Sequence, residues 1–444
     1  MSSLALRLRS GQALGLGSHQ APAVPAAARV ESAGPRLLNR NFVLLWQAQL
    51  VSQFGNSAFL IAMMAWTIET THSATMSGLM MMAGVLPVVV LGPLTGAFAD
   101  SRRSKVRIVV TCDVLAGALV LLLALGFVGG PSAWRPAMLF TIALLIGVCN
   151  AFFDPAVNAL VPDLVTRDQI GSANAFRQSS RQITILTAQG LGGILYALVG
   201  PAMLFVIDGV SFLFAGATET LIQQSTIDNR QSIRNPQSSI RNVKDGFVYV
   251  AAQPGMIGFL IMSSIFNALL MPMSLLLPVY ATVNLQADVR WYGFLLAAIS
   301  AGAIAGGMLA GTRRLALSGS LRRIALMTGY ATLALALAVL GQVRSREIAL
   351  AILCATGVLA GLINVLVLSI IQRQTSVEFR GRVLGLHAMM IRILLPIGLV
   401  GGGALADLTG RNVPLVYGIC GALALTTVIV LAGRRTTRAF LASA

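Results

Sequence analysis

Charged residues are scarce in this sequence of 444 residues, making up 11% of it, whereas hydrophobic residues make up 56%. A soluble globular chain has roughly 25% charged residues, and the mean hydropathy here is +0.80. This polar surface is too small to cover a soluble globule of such a length, which excludes that class. Acidic residues are scarcer than basic residues, with 15 Asp and Glu against 32 Lys and Arg.

Cysteine, histidine and nucleotide-binding or catalytic motifs are also sparse. The four cysteines, Cys112, Cys149, Cys354 and Cys420, show neither disulfide-type nor metal-type spacing, and the three histidines are widely scattered. The sequence has no G-x-x-x-x-G-K-[ST] loop, nucleophile elbow or metalloprotease helix motif. We therefore expect no catalytic residues, no metal and no cofactor, and transport rather than an enzymatic reaction.

Long apolar runs are what the sequence has instead. A helix needs roughly 20 mostly apolar residues to cross a bilayer, and these runs are continuous, unlike the alternating segments of about ten residues in a membrane barrel. We predict an all-α membrane protein with twelve transmembrane helices at 42–66, 76–98, 106–127, 137–153, 173–199, 202–222, 255–280, 291–312, 323–343, 347–371, 383–407 and 412–433.

The polar stretch between the sixth and seventh runs divides the chain into six plus six. Two similar halves with a substrate path between them are typical of duplicated transporters. We predict a disordered cytoplasmic tail at 1–40, an N-terminal six-helix bundle at 41–222, a cytoplasmic central loop at 223–246, a C-terminal six-helix bundle at 247–433 and a cytoplasmic tail at 434–444.

Basic residues mark one face of the predicted bundle. The tails and alternate loops contain most of them, whereas the opposite face has only Arg135, Arg290, Arg344, Arg346 and Arg411. Because Lys and Arg collect on the cytoplasmic side, both termini are predicted to be cytoplasmic in a multi-pass protein of the cell inner membrane. The net charge of +17 thus fits a lipid bilayer as partner and no nucleic acid. We expect a monomer.

The turn after the second predicted span reads GPLTGAFADSRRSKVRIVV. Gly96 permits close helix approach, and Asp100 can accept hydrogen bonds from a helix end or an arginine, as a cytoplasmic latch would require. The positive-inside rule alone would explain the basic group Arg102, Arg103 and Lys105 but not the glycine and the aspartate. The turn resembles the loop signature of the major facilitator superfamily, which implies a gate at these residues.

Three further stretches extend that resemblance: FFDPAVNALVPDLVTRDQIGSANAFRQSSRQ, GLGGILYALVGPAMLFVIDGVSFLFA and FRGRVLGLHAMMIRILLPIGLVGGGALAD. They are similar to the branch of macrolide-efflux and enterobactin-exporter-like proteins, which implies the major facilitator fold and export of a small molecule. Ala188 and Gln189 stand where drug-exporting members commonly have a Gly-Pro pair. The direction of transport therefore stays open.

Charged side chains inside the predicted spans are candidates for substrate binding or ion coupling. A charge at mid-bilayer costs about 2.5 to 3.5 kcal/mol, and Arg392 lies about 14 Å into the eleventh span. We expect it to face the bundle interior or a cavity and to pair with an acid or with carbonyl groups, in a functional or a structural role. Asp113, Asp208, Arg181 and Glu219 lie nearer the interfaces, and Asp113 and Asp208 are the candidates for a titrating carboxylate.

A polar stripe marks the first span. Gln49, Gln53 and Asn56 follow the i, i+4, i+7 spacing of one helix face. Such a stripe either lines a cavity or makes hydrogen bonds between helices. Asn267 and Asn364, in the seventh and tenth spans, allow the same two interpretations.

The sequence therefore predicts a secondary active transporter. The first hypothesis is proton-coupled export of an amphipathic drug-like or siderophore-like small molecule by alternating access. The second is uptake of a metabolite, or movement of a lysophospholipid, by the same fold. A non-transporting membrane enzyme or sensor is the third.

Overall fold

The computed structural model describes residues 37–101, 104–128, 133–223, 237–288, 290–311 and 319–443, which form helices joined by short connections without any strand. The predicted all-helical class is confirmed for this part of the chain. The helices are α1 (Arg40–Thr71), α2 (Ala74–Ser101), α3 (Lys105–Gly126), α4 (Arg135–Leu164), α5 (Ile170–Glu219), α6 (Gln237–Ala252), α7 (Met256–Val279), α8 (Arg290–Ala310), α9 (Gly319–Gln342), α10 (Arg346–Gln374), α11 (Arg380–Leu408), α12 (Val413–Gly433) and α13 (Arg435–Ser443).

Ten of the described helices, α2 to α5 and α7 to α12, are long and apolar enough to cross a membrane. Helix α1 covers the predicted first span but is not among the ten, because glutamine and asparagine side chains lower its hydropathy. On the outer faces of other helices, Leu125, Leu198 and Met308 are 69%, 72% and 71% exposed. Exposed apolar side chains on this scale suit lipid as the surrounding solvent.

Helix α5 is interrupted near its middle. Gly200 has φ 74° and ψ 176°, a backbone conformation that glycine adopts at little cost, and Pro201 follows it. Proline is favoured in the first turn of a helix because its missing N–H would be unpaired there anyway. The break therefore divides α5 into arms at 170–199 and 201–219, close to the predicted spans 173–199 and 202–222.

Helices α1 to α5 form the first half of the chain, and α7 to α12 form the second. Within the first half α1 and α3 pack on α5 and α2 packs on α4; within the second α8 packs on α10, α9 on α12 and α7 on α11 and α12. The most extensive contacts between the halves are those of α2 with α11 and of α5 with α8, and α7 also contacts α1 and α2. Gly193 and Gly293 allow α5 and α8 to meet, since a Cβ at Gly193 would lie 2.8 Å from the Arg290 carbonyl oxygen.

Two short helices lie outside the ten apolar ones. Helix α13 buries Thr437, Phe440 and Leu441, and the Phe440 ring lies 5.8 Å from the ring of Phe259 on α7. Helix α6 packs against the start of α11. The sequence analysis predicted no helix in either stretch, because a short amphipathic helix on the surface of a bundle has no long apolar run.

Candidate functional site

A cavity of about 1160 Å³ lies between α1, α2, α4, α5 and α11, so both halves contribute to its wall. Trp46, Phe153 and Phe212 form apolar parts of the wall, and many glutamine, asparagine and charged side chains form the rest. Five of the predicted site residues line it: Gln49, Gln53, Asn56, Arg181 and Arg392. Apolar walls with a limited number of converging polar groups are typical of small-molecule sites.

The polar stripe of α1 holds two arginines of α5 in place. Arg177 Nε donates to Gln49 Oε1 at 3.0 Å, and Arg181 Nε donates to Gln53 Oε1 at 3.1 Å. Because both pairs repeat at i, i+4, they form two successive rungs between the helices. Gln49 and Gln53 thus line the cavity and also make hydrogen bonds between helices, whereas Asn56 lines the cavity.

Arg392 points into the cavity from α11, where its side chain is exposed. It lies twelve residues into α11, or about 18 Å from the start of that helix. Among the described residues it has no hydrogen-bond or ion-pair partner, so the predicted pairing with an acid or with carbonyl groups is not found. An arginine this deep with no protein partner is open to a ligand.

The charged side chains that line the cavity are four arginines and two carboxylates. Besides Arg181 and Arg392 they are Asp154, Arg177, Glu378 and Arg382. The sequence analysis did not single out these last four as site residues. The position of Arg177, one helical turn before Arg181, was a usable signal, because two residues four apart share a helix face.

Asp113 and Asp208 lie away from the cavity. They are 2% and 0% exposed, and neither lines its wall. Asp113 on α3 lies beside Glu219 of α5. Neither carboxylate oxygen of Asp208 has a hydrogen-bond partner among the described residues, and a Cβ added at Gly55 would lie 2.7 Å from its Oδ1. These acids therefore lie behind α1, buried within the first half.

Asn267 and Asn364 are not among the residues that line the cavity. The amide of Asn267 donates to the Ser263 carbonyl oxygen at 2.8 Å, within its own helix. Asn267 therefore fits neither interpretation from the sequence, because it does not line the cavity and its hydrogen-bond partner lies in its own helix.

Only part of the predicted gate motif is described. The backbone of Gly96 and Asp100 belongs to α2, whereas the side chain of Asp100, and Arg102 and Arg103 altogether, lie outside the described residues. Lys105 is described, and its Nζ lies 2.8 Å from Asp163 Oδ2. This contact joins α3 to the end of α4, within one half.

A carboxylate from α11 caps the beginning of α2. Asp407 accepts hydrogen bonds from Ser73 Oγ at 2.7 Å and from the backbone N–H groups of Ala74 and Thr75, both at 2.9 Å. The first N–H groups of a helix lack partners within it and carry partial positive charge, so a carboxylate is stabilised there. This cap joins the two halves.

Asp407 is not among the site residues predicted from the sequence, although a repeated motif marks it. Residues 96–100 read GAFAD at the end of α2, and residues 403–407 read GALAD at the end of α11. The position that the motif assigns to the gate in one half is thus occupied in the other half by the carboxylate that caps α2.

The halves meet at the end where α2 begins and α11 ends, which we call the closed end. The Ser300 hydroxyl of α8, ten residues into that helix, donates to Gln189 Oε1 of α5 and joins the halves nearer the middle of the bundle. The cavity instead extends towards the end where α5 and α11 begin, which we call the open end, since Glu378 and Arg382 line it there. For the part of the chain that the structure describes, the cavity lining reaches the open end and not the closed end, as alternating access requires.

Residues 32–440 match the family described as "Transmembrane secretion effector". The chain belongs to this family. Macrolide efflux protein A of Streptococcus pyogenes is 23% identical over 376 residues, covering 84% of this chain and 90% of that protein. Multidrug efflux pump Tap of Mycolicibacterium fortuitum is 25% identical over 380 residues, covering 83% of this chain and 90% of the pump.

Solved structures of transporters share the fold of this family member. The nucleoside transporter NupG matches with a TM-score of 0.71 at 13% identity, covering 89% of this chain and 99% of NupG. A bacterial homologue of the iron transporter ferroportin, in its inward-facing state, matches with a TM-score of 0.66 at 18% identity, covering 89% of this chain and 100% of the homologue.

The predicted resemblance to the major facilitator and macrolide-efflux proteins is confirmed. The family and the matched relatives are transporters rather than enzymes, so the chain is a multi-pass membrane protein and a secondary transporter.

Proposed function

We propose that this chain is a proton-coupled exporter that moves an amphipathic drug-like or siderophore-like small molecule by alternating access. The observation that carries the proposal is the cavity of about 1160 Å³ between the halves, which extends to one end of the bundle and is closed at the other by the Asp407 cap. The names of the efflux relatives support the export direction.

Twelve spans and cytoplasmic termini are part of the proposal. The ten apolar helices give twelve crossings if α1 spans the membrane and the two arms of α5 each cross it once. The distribution of lysine and arginine supports an orientation with both ends of the chain, and the open end of the cavity, at the cytoplasmic face of the inner membrane. Substrate would enter from the cytoplasm, and the chain acts as a monomer with two six-helix bundles at 41–222 and 247–433.

Two aspartates are proposed to alternate as latches. Asp407 holds the closed end in the present conformation. When the halves rock, Asp100 takes the corresponding role at the other end of α2 and accepts hydrogen bonds from the first turn of α11. In the sequence, Gly96, Arg102 and Arg103 of the predicted gate motif flank Asp100, whereas Lys105 pairs with Asp163 of its own half.

Proton coupling is proposed to involve carboxylates within the first half. Asp113 and Asp208 are buried with Glu219 beside the first of them, whereas Asp154 lines the cavity itself. A proton taken up by the buried groups would change the charge that α3 and α5 present to each other. Such a local change in charge can shift the equilibrium between two conformations.

Transport in proteoliposomes tests the proposal. With a pH gradient imposed across the vesicle membrane, we expect uptake of a candidate compound together with proton movement in the opposite direction. Asp208→Asn should uncouple the two fluxes. The proposal fails if no compound from a panel of antibiotics and siderophores moves and no proton flux accompanies it.

Uptake of a metabolite or movement of a lysophospholipid is the second candidate. It is supported by Gln189, which stands where drug exporters have proline, keeps its backbone N–H and accepts a hydrogen bond from Ser300 of the other half. Right-side-out and inside-out membrane vesicles separate the two candidates by the direction of net flux.

A further inference from the structure

The cavity wall has an excess of positive charge that the positive-inside rule does not explain. That rule concerns loops and helix ends, whereas Arg181 lies eleven residues into α5, about 17 Å from its start, and Arg392 lies about 18 Å into α11. The two arginines are thus at the same depth, one on each half. Asp154 is the described carboxylate of the wall nearest that depth, about 15 Å before the end of α4.

Most hydrogen-bond donors of the cavity arginines have no partner among the described residues. Arg177 and Arg181 each bond a glutamine of α1 through Nε, and their terminal nitrogens make no hydrogen bond to a described residue. Arg392 makes none at all within the described part of the chain. A guanidinium group presents five donors in a planar fork that matches a carboxylate or phosphate. At mid-membrane a charge that serves only structure would be paired with the protein.

We propose that the cavity selects amphipathic organic anions, whose anionic group is held between Arg181 of the first half and Arg392 of the second. The apolar body of the ligand would lie against Trp46, Phe153 and Phe212, which share the same wall. This inference names the substrate class of the proposed exporter and therefore rests on that function. It differs from a cavity for cationic drugs, which would need an excess of carboxylates.

The same geometry gives the anion a role in switching. In the empty cavity two like charges on opposite halves repel each other, which favours separation of the halves at the open end. A bound anion replaces that repulsion with attraction to both arginines and stabilises the state in which the halves approach. A ligand shifts a conformational equilibrium only through such a difference in affinity between states. The anion would thus promote closure of the open end behind itself.

Binding of a matched probe series tests the selectivity. The probes share a nitrobenzoxadiazole fluorophore and one alkyl chain, which ends in a carboxylate, a neutral amide or an ammonium group. With the full chain in lipid nanodiscs, we expect the carboxylate probe to bind about tenfold more tightly than the amide probe, and the ammonium probe most weakly. Raising the salt concentration should reduce the carboxylate preference.

Substitutions then locate the preference. Arg392→Gln and Arg181→Gln should each bring the affinity ratio of carboxylate to amide to within about threefold of unity, whereas Arg392→Lys should retain a preference for the carboxylate. Arg373→Gln is the matched control, because Arg373 is an exposed arginine of α10 that does not line the cavity. If Arg392→Gln does not fold, Arg181→Gln and Arg392→Lys still decide the question.

The inference is overturned if folded wild-type protein binds the carboxylate probe no better than the amide probe, prefers the ammonium probe, or keeps its carboxylate preference in both glutamine variants. Its failure is distinguishable from failure of the export proposal. Proton-driven transport of a cationic compound, without preference for the carboxylate probe, removes the anion inference and leaves the exporter. A carboxylate preference without transport of any compound removes the export proposal and leaves the anion inference.

Discussion

Lys105 joins two helices of one half, although the sequence motif assigns it to a gate between halves. Its Nζ lies 2.8 Å from Asp163 Oδ2, and the two side chains are 16% and 22% exposed. We expect Lys105→Met to lower the free energy of unfolding by about 1.5 kcal/mol, since it removes a partly buried charge-assisted hydrogen bond. Thermal unfolding of the purified protein measures this loss.

Asp163→Asn should have a similar effect, and the double substitution should cost clearly less than the sum of the two, because each single change already removes the same contact. Transport by these variants should follow the amount of folded protein. Loss of transport at unchanged stability would instead assign Lys105 to the gate.

At single residues, the sequence is most informative where helix periodicity alone decides which side chains share a face. The spacing of Gln49, Gln53 and Asn56 defines one face of α1, and that face lines the cavity. Periodicity does not fix which face of a neighbouring helix points inward. Asp113 and Asp208 therefore could not be distinguished from cavity residues, although helix packing turns them into the interior of the first half.

Close packing of α5 on α8 depends on which glycine of α5 faces the partner helix. A Cβ at Gly193 would lie 2.8 Å from the Arg290 carbonyl oxygen and 3.0 Å from the Gly293 nitrogen, whereas a Cβ at Gly190 would have only an ordinary contact of 3.7 Å with Ala297. We expect Gly193→Val to force the two helices apart at the closed end. The variant should fold, as judged by size-exclusion chromatography, and should lose most of its transport.

Gly190→Ala is the matched control, expected to retain transport close to the wild-type rate. Equal transport by the Gly193→Val variant would contradict a need for close approach between α5 and α8 during the transport cycle.

A complete helix could be predicted from the sequence where it contains a long apolar run. The predicted boundary between the fifth and sixth spans falls at Gly200, because a glycine followed by proline interrupts an otherwise continuous apolar stretch. Helices α6 and α13 were not predicted, since each has one apolar face and too little length for a span. The sequence contains that pattern, but packing against α11 and α7 decides whether such a segment becomes a helix.

At the scale of the whole molecule, Asp407 stabilises one conformation over the other. Its carboxylate bonds Ser73 Oγ and two N–H groups at the start of α2, on the other half. Asp407→Asn removes the charge, so we expect the population with a separated closed end to rise about tenfold. Hydrogen–deuterium exchange should become faster for amides 73–78.

Asp288→Asn is a suitable control for that experiment, because Asp288 is a half-exposed carboxylate near the closed end that pairs locally with Arg290 at 2.9 Å. It removes the same charge without breaking a contact between halves. Unchanged exchange at 73–78 in Asp407→Asn would show that the cap does not contribute to closure.

The repeated motif extends this prediction to the opposite end of the same helix pair. GAFAD ends at Asp100 on α2 and GALAD ends at Asp407 on α11, so Asp100→Asn should shift the populations in the direction opposite to Asp407→Asn. The double substitution should then return them towards the wild-type ratio. If both proposed latches form, each must break before the halves rock, so removing both also lowers the barrier in both directions. If rocking limits turnover, the double variant should transport faster than either single variant. A shift of the conformational populations by Asp100→Asn in the same direction as by Asp407→Asn would exclude two opposed latches.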